Sequence, residues 1–182
     1  MFLTVEDFSI EPYLIPNLDK RLANFKDFII MKEKEVLTKI FGPLFYNSFK
    51  TGLATDPVHE KWTRLRDGYF FEYDANPYGW VGIKEVLKPY VYSEWLDANT
   101  KLWSGVGMIL PISENGESVS PADASWRAWN EFKKRSGYNE YYYSDVGSSL
   151  YGYINYANTV EPDYYYRAIY SEEFESKNPW QL

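Results

Sequence analysis

Between Leu18 and Ile40, apolar side chains return every three or four residues: Leu18, Leu22, Phe25, Ile29, Val36 and Ile40, with Phe28, Met31 and Leu37 widening the stripe. That is the spacing of one helix face, and the run is too long for a strand. Lys32, Glu33, Lys34 and Glu35, which lie between them, belong on the wet face. Gly42-Pro43 ends the run, because glycine takes a left-handed cap and proline cannot continue the same ladder. Pro43 then opens a second helix, "PLFYNSFKTGL", closed by Gly52. A chain that begins this way must bury helix against helix.

The remaining sequence mostly keeps that period. Thr4 reads as a cap, with Glu6 and Asp7 in the first turn of a short helix over Val5 to Ser9. "EPYLIPNL" is an extended connector because of its two prolines. Asp56-Pro57 supplies cap and first turn for a third helix, "PVHEKWTRLRDGYFFEY", with Val58, Trp62 and Leu65 on one face; Gly68 weakens or ends it. "DANPYGW" is loop chemistry. Val81 to Thr100 is helical, with Val86, Leu87, Tyr90, Val91 and Leu96 forming a broad apolar face and Pro89 kinking it.

A hairpin is expected next. "VGMILPI" has strand composition, Asn115-Gly116 is a turn signal, and "SVS" is the return strand. Pro111 restricts the first strand to an edge. Ser120-Pro121-Ala122-Asp123 then starts a last long helix. Trp126, Trp129, Phe132, Tyr142, Val146, Leu150 and Ile154 mark its apolar side, and Gly137 and Gly147 bend or split it. After Thr159 the period dissolves into acids, prolines and rings, the pattern of a tail ordered by docking. The expected fold is mainly α: a small bundle of four to five helices in residues 1–158, a short β-hairpin insertion at about 105–120, and an extended C-terminal tail over 159–182. Deleting Pro162 to Leu182 is expected to leave the helical spectrum nearly intact and to impair assembly.

Composition bears on function. Aromatic residues make up 20% of the chain, with 18 Tyr and 7 Trp. Such rings bring large contact area at low rotamer cost and are enriched at protein interfaces. Cysteine is absent, which removes disulfides, thiolate nucleophiles and cysteine-based zinc sites. The start "MFLTVEDFSIEPYL" is no signal peptide, no apolar run spans a bilayer, and the chain is expected to be soluble and intracellular when made. A net charge of −7 gives no phosphate-binding footprint, so DNA would meet a repelling wall.

Catalytic patterns are scarce. His59 is the sole histidine and has no cysteine or second histidine to work with. Asp97-Ala98-Asn99 and Asp74-Ala75-Asn76 are commoner as turn and cap residues than as oxygen ligands. Glu6/Asp7, Glu33/Glu35 and Glu172/Glu173 read as helix-end or solvated charge rather than as paired catalytic carboxylates. "GVG" lacks the rest of a phosphate loop, and "GSSLYG" does not fit a nucleophile elbow. No catalytic, metal or cofactor site is expected. Lys133-Lys134-Arg135 is the one compact basic run, and it suits an acidic neighbouring subunit.

The order of these parts carries a resemblance. A short "LTVEDF", a long helix ending in "FGPLFYNSF", the helix "KEVLKPYVYSEWLDANTKLWSGVGMI", the hairpin "ENGESVSPAD" and a Trp/Tyr-rich final helix together resemble the head–tail connector (adaptor) proteins of tailed bacteriophages, of the type found in phages and prophages of Bacteroidetes-like hosts. The similarity spans roughly Leu3 to Tyr156 and rests on structural motifs, Gly42 to Tyr46 and Gly105-Val106-Gly107 above all. It implies a non-enzymatic virion protein of the phage neck, assembled in the host cytoplasm. There it would form a ring, typically dodecameric, beneath the portal protein and would meet the next tail or neck ring. DNA would pass through the channel without specific binding, and no cofactor or membrane is implied. Met108, Ile109 and Leu110 of the hairpin, with Tyr164, Tyr165, Tyr166 and Trp180 of the tail, are the expected interface residues. Three other readings are open: a neighbouring tail-ring or stopper protein of the same neck, an aromatic-rich carbohydrate-binding module, although such modules are mostly β-sandwiches, and a hydrolase acting through carboxylates.

Overall fold

The computed structural model describes residues 2–15, 22–100, 121–137, 149–160 and 166, with the backbone of 103–104 and 107–108. Within these residues the chain is mainly helical. After a 3-10 turn at Val5–Phe8 come α1 (Leu22–Leu53), α2 (Glu60–Asp67), the strands β1 (Tyr69–Tyr73) and β2 (Asn76–Trp80), and α3 (Ile83–Thr100). Two-residue strands β3 (Trp103–Ser104) and β4 (Gly107–Met108) precede α4 (Pro121–Ser136) and α5 (Leu150–Val160).

Helix α1 is two rods joined at Gly42, whose φ of 76° and ψ of 161° break the helical path. Only glycine takes such a backbone without strain. The first rod buries Phe25, Ile29, Val36, Leu37, Ile40 and Phe41, and the second buries Phe49. Gly52 does not end the second rod; a Cβ there would run into the Trp62 indole, so the glycine lets α2 pack close. Two expectations for the first rod fail. Met31 is exposed, whereas Glu33, expected on the wet face, is only 3% exposed. Its carboxylate accepts the amides of Phe2 (2.9 and 3.1 Å) and Leu3 (2.5 Å), tying the N-terminal segment to α1. Burial raises the Glu33 carboxyl, and the Leu3 and Phe2 amides work against that rise.

Helix α3 lies at the centre. Ile83, Val86, Leu87, Tyr90, Val91 and Trp95 are buried around it, and it runs on through a buried Pro89. It touches α1, α2, α4 and the 3-10 turn. Its closest partner is α4, which offers Ser125, Ala128, Trp129, Phe132 and Ser136 at helical spacing. Between them, Ser93 and Ser125, both fully buried, share a hydrogen bond of 3.0 Å, and Ser125 also donates to Asp97. Small side chains with mutual partners let two helices approach without orphaned hydroxyls. Gly137, at φ 74°, ends α4, so the last helical region is two helices and not one.

A well-formed antiparallel hairpin lies between α2 and α3, where "YFFEY" was expected to extend a helix and "DANPYGW" to be loop. Its two-residue turn is Asp74-Ala75, both at positive φ (50° and 59°), and Tyr73 pairs with Asn76. This turn twists with the strands it joins, but the usual glycine is missing. The inward face stacks Phe71 on Tyr156 (3.9 Å) and sets Tyr73 edge-on to the same ring. Trp80 stacks on Tyr153 (5.5 Å, 7° between planes) and donates its indole N–H to the Leu65 carbonyl (3.2 Å). The hairpin is thus clamped between α2 and α5. The Asn115-Gly116 turn and the return strand of the expected insertion lie outside the described residues; the pairing described nearby is of Trp103 and Ser104 with Met108 and Gly107.

Candidate functional site

Ion pairs knit the helices along one line. Asp7 meets Lys84 at 2.8 Å and Lys88 at 3.8 Å, Lys88 meets Glu85 at 2.5 Å, and Glu85 meets Arg135 at 3.2 Å. Arg135 also takes Glu131 at 2.8 Å and the Glu85 carbonyl at 2.8 Å. The expected basic run is therefore divided: among the described residues, Arg135 forms ion pairs inside the chain, and Lys133 and Lys134 form none. A second cluster joins α1 to α3, with Lys32 between Glu35 (2.9 Å) and Glu94 (2.7 Å), Lys39 on Glu35 (3.0 Å), and the Tyr90 hydroxyl donating to Glu35 (3.2 Å). Burial works against charge on Glu35, yet Lys32 and Lys39 hold its carboxyl below the ordinary range. Burial likewise opposes Asp7, and Lys84 with the Thr4 amide and hydroxyl holds it low. Each of these acids has a structural partner.

His59, Asp74 and Asn99 are engaged the same way, and Glu172 and Glu173 lie outside the described residues. His59 caps α2, its Nδ1 accepting the Lys61 amide at 3.2 Å; the cap is His59 and not Asp56. Asp74 forms the hairpin turn with Asn76 Nδ2 on its carbonyl (2.9 Å), and Asn99 Nδ2 bonds back to the Trp95 carbonyl (2.8 Å). Among the described residues, no three His, Cys, Asp or Glu side chains gather where a metal ion would fit, and no helix is long and apolar enough to cross a membrane.

What remains for function is the exposed apolar surface. Phe70 is 87% exposed and Leu44 83% exposed. The alternation of β1 explains Phe70: with Tyr69, Phe71 and Tyr73 turned inward, Phe70 and Glu72 must turn outward. Its ring lies over Gly79, where a Cβ would crowd it. Leu44 follows from the Gly42 break, which starts the second rod afresh. Trp126 (41%), Ile30 and Met31 are exposed on α4 and α1. Exposed side chains of this size are a candidate interaction surface.

Of the expected interface residues, Met108 is placed in β4 by its backbone; Ile109, Leu110, Tyr164, Tyr165 and Trp180 lie outside the described residues. Tyr166 is not an interface residue. It is fully buried in its own chain, with its hydroxyl donating to the Lys61 carbonyl (2.6 Å) and lying 3.3 Å from the Tyr153 hydroxyl. Asn158 grips its backbone, accepting the amide at 2.6 Å and donating to the carbonyl at 2.8 Å. A deletion from Pro162 onward thus removes a core ring, and Thr159 and Val160 belong to α5 rather than to a tail. Helical spacing gives no sign of Phe70, although the run of rings from Tyr69 to Tyr73 carries strand propensity. Compared with protein-family models, curated proteins and solved structures, the chain matches none.

Proposed function

We propose that this chain is a structural protein of the tailed-bacteriophage neck, a head–tail connector that forms a ring below the portal, joins capsid to tail and extends the DNA channel. The support is the exposure of two large apolar side chains, Phe70 and Leu44, on separate elements of a helical body. A ring requires unlike faces of one subunit to meet, and a subunit built for that carries apolar anchors at more than one place. The resemblance noted in the sequence is the second support. The net charge of −7 suits a channel that DNA traverses without sticking. A stopper or adjoining tail ring is the same reading at another level of the neck.

Cryo-microscopy of phage particles carrying this chain tests the proposal. A ring of density for it between capsid vertex and tail is expected, and native mass spectrometry of the chain with its portal should give a closed oligomer on the portal. Finding it elsewhere in the particle, or finding substrate turnover, overturns the proposal.

A further inference from the structure

We propose that the outward face of the β1–β2 hairpin docks on the exposed face of α4 in a second copy of this chain, so that copies meet head to tail; the closing of that contact into a ring rests on the neck-protein reading. The outward face of the hairpin offers the Phe70 ring and only negative charge. Phe70 stands 87% exposed over Gly79, Glu72 lies on the same face, and Asp74 is at the turn. Residues 69–80 contain no lysine or arginine. The exposed face of α4 offers the converse, a net positive charge that outweighs the exposed Asp123 of its first turn. Trp126 is 41% exposed, and Arg127, Lys133 and Lys134 follow at spacings that keep them near one face. Among the described residues, these three cations make no ion pair, and neither do Glu72 and Asp74. In a chain of net charge −7, an unpaired basic cluster beside an exposed indole is the complement of the hairpin.

The signs also select the geometry. Hairpin against hairpin brings acids together, and α4 against α4 brings bases together, so each symmetric pairing is repelled. Hairpin against α4 pairs opposite charges and two rings, with Arg127 able to lie over the Phe70 face. Contacts between unlike faces propagate from copy to copy and close into rings when the rotation allows.

The absence of cysteine makes the test direct. Ala75→Cys at the hairpin turn and Asn130→Cys on α4 are made in separate copies, mixed at low salt and oxidised. Disulfide-linked pairs of A75C with N130C should exceed both same-variant pairs. K133E/K134E in the N130C copy should lower that yield several-fold, and E72K/D74K in the A75C copy should restore it. Same-variant pairs in excess, or a mixed yield indifferent to charge reversal, overturn the contact. So does duplex DNA protecting N130C from alkylation when no mixed pair forms, which would make α4 a nucleic-acid face. Should imaging find the chain in a neck ring while the mixed pairs fail, the contact is wrong and the ring reading stands. Mixed pairs from a chain located outside the neck uphold the contact and remove the phage role.

Discussion

Ala75 is a residue in an uncomfortable place. It holds φ at 59° in the hairpin turn, a region that costs an L-residue with a Cβ about 1–2 kcal/mol. Asp74 beside it tolerates that region better, because a short polar side chain bonds locally. Ala75→Gly should therefore stabilise the chain by about 1 kcal/mol, since relief of the strain outweighs the added freedom of the unfolded chain. Urea unfolding checks this; a lower midpoint for the variant would show that the turn does not form as described. Position 75 also shows why the hairpin is hard to read in advance. The familiar signal is a glycine after Asn or Asp, and here alanine stands in its place.

At the level of elements, α5 and Tyr166 act as one unit. Tyr166 fills the space between Tyr153, Phe45 and α2, and its hydroxyl meets the Lys61 carbonyl. Tyr166→Ala should destabilise the fold by about 3–5 kcal/mol, the range for deleting a large buried ring. Tyr166→Phe should cost less, about 0.5–1.5 kcal/mol, through loss of the hydrogen bond from its hydroxyl to the Lys61 carbonyl. Thermal unfolding of both variants measures the pair; equal and negligible effects would show that the ring is not part of the core. Periodicity is silent about this side chain, because one buried residue outside a helix leaves no pattern. By contrast, α1, α3 and α4 were legible, since each buries a repeating stripe.

For the molecule as a whole, carboxylates tie separate elements together, so acid should loosen it. Glu35 and Asp7 have carboxyls held below their ordinary range by lysine partners. A carboxyl that is lower in the folded chain than in the unfolded one contributes fully above the unfolded value. That contribution is lost as pH falls through the folded value. Glu33 is shifted the opposite way and offsets part of the slope. The melting temperature should fall as pH drops below about 5, and Glu35→Gln should flatten the fall. A variant as acid-sensitive as the parent would show that Glu35, through Tyr90 and the Lys32–Glu94 pair, does not couple α1 to α3.

Sequence alone determined the helical class, the break at Gly42-Pro43, the apolar stripes and the start of α4. These are local matters: helical period and backbone chemistry act within a few residues, so the chain states them directly. Tertiary structure alone decided that Glu33 is buried against the Phe2 and Leu3 amides, that "YFFEY" is a strand with Phe70 turned to solvent, that Arg135 is spent on Glu85, and that Tyr166 is core. Each depends on a partner many residues away. A carboxylate enters the interior only where donors wait for it, and an aromatic run becomes a strand only where another surface, here Tyr153 and Tyr156, covers one of its faces.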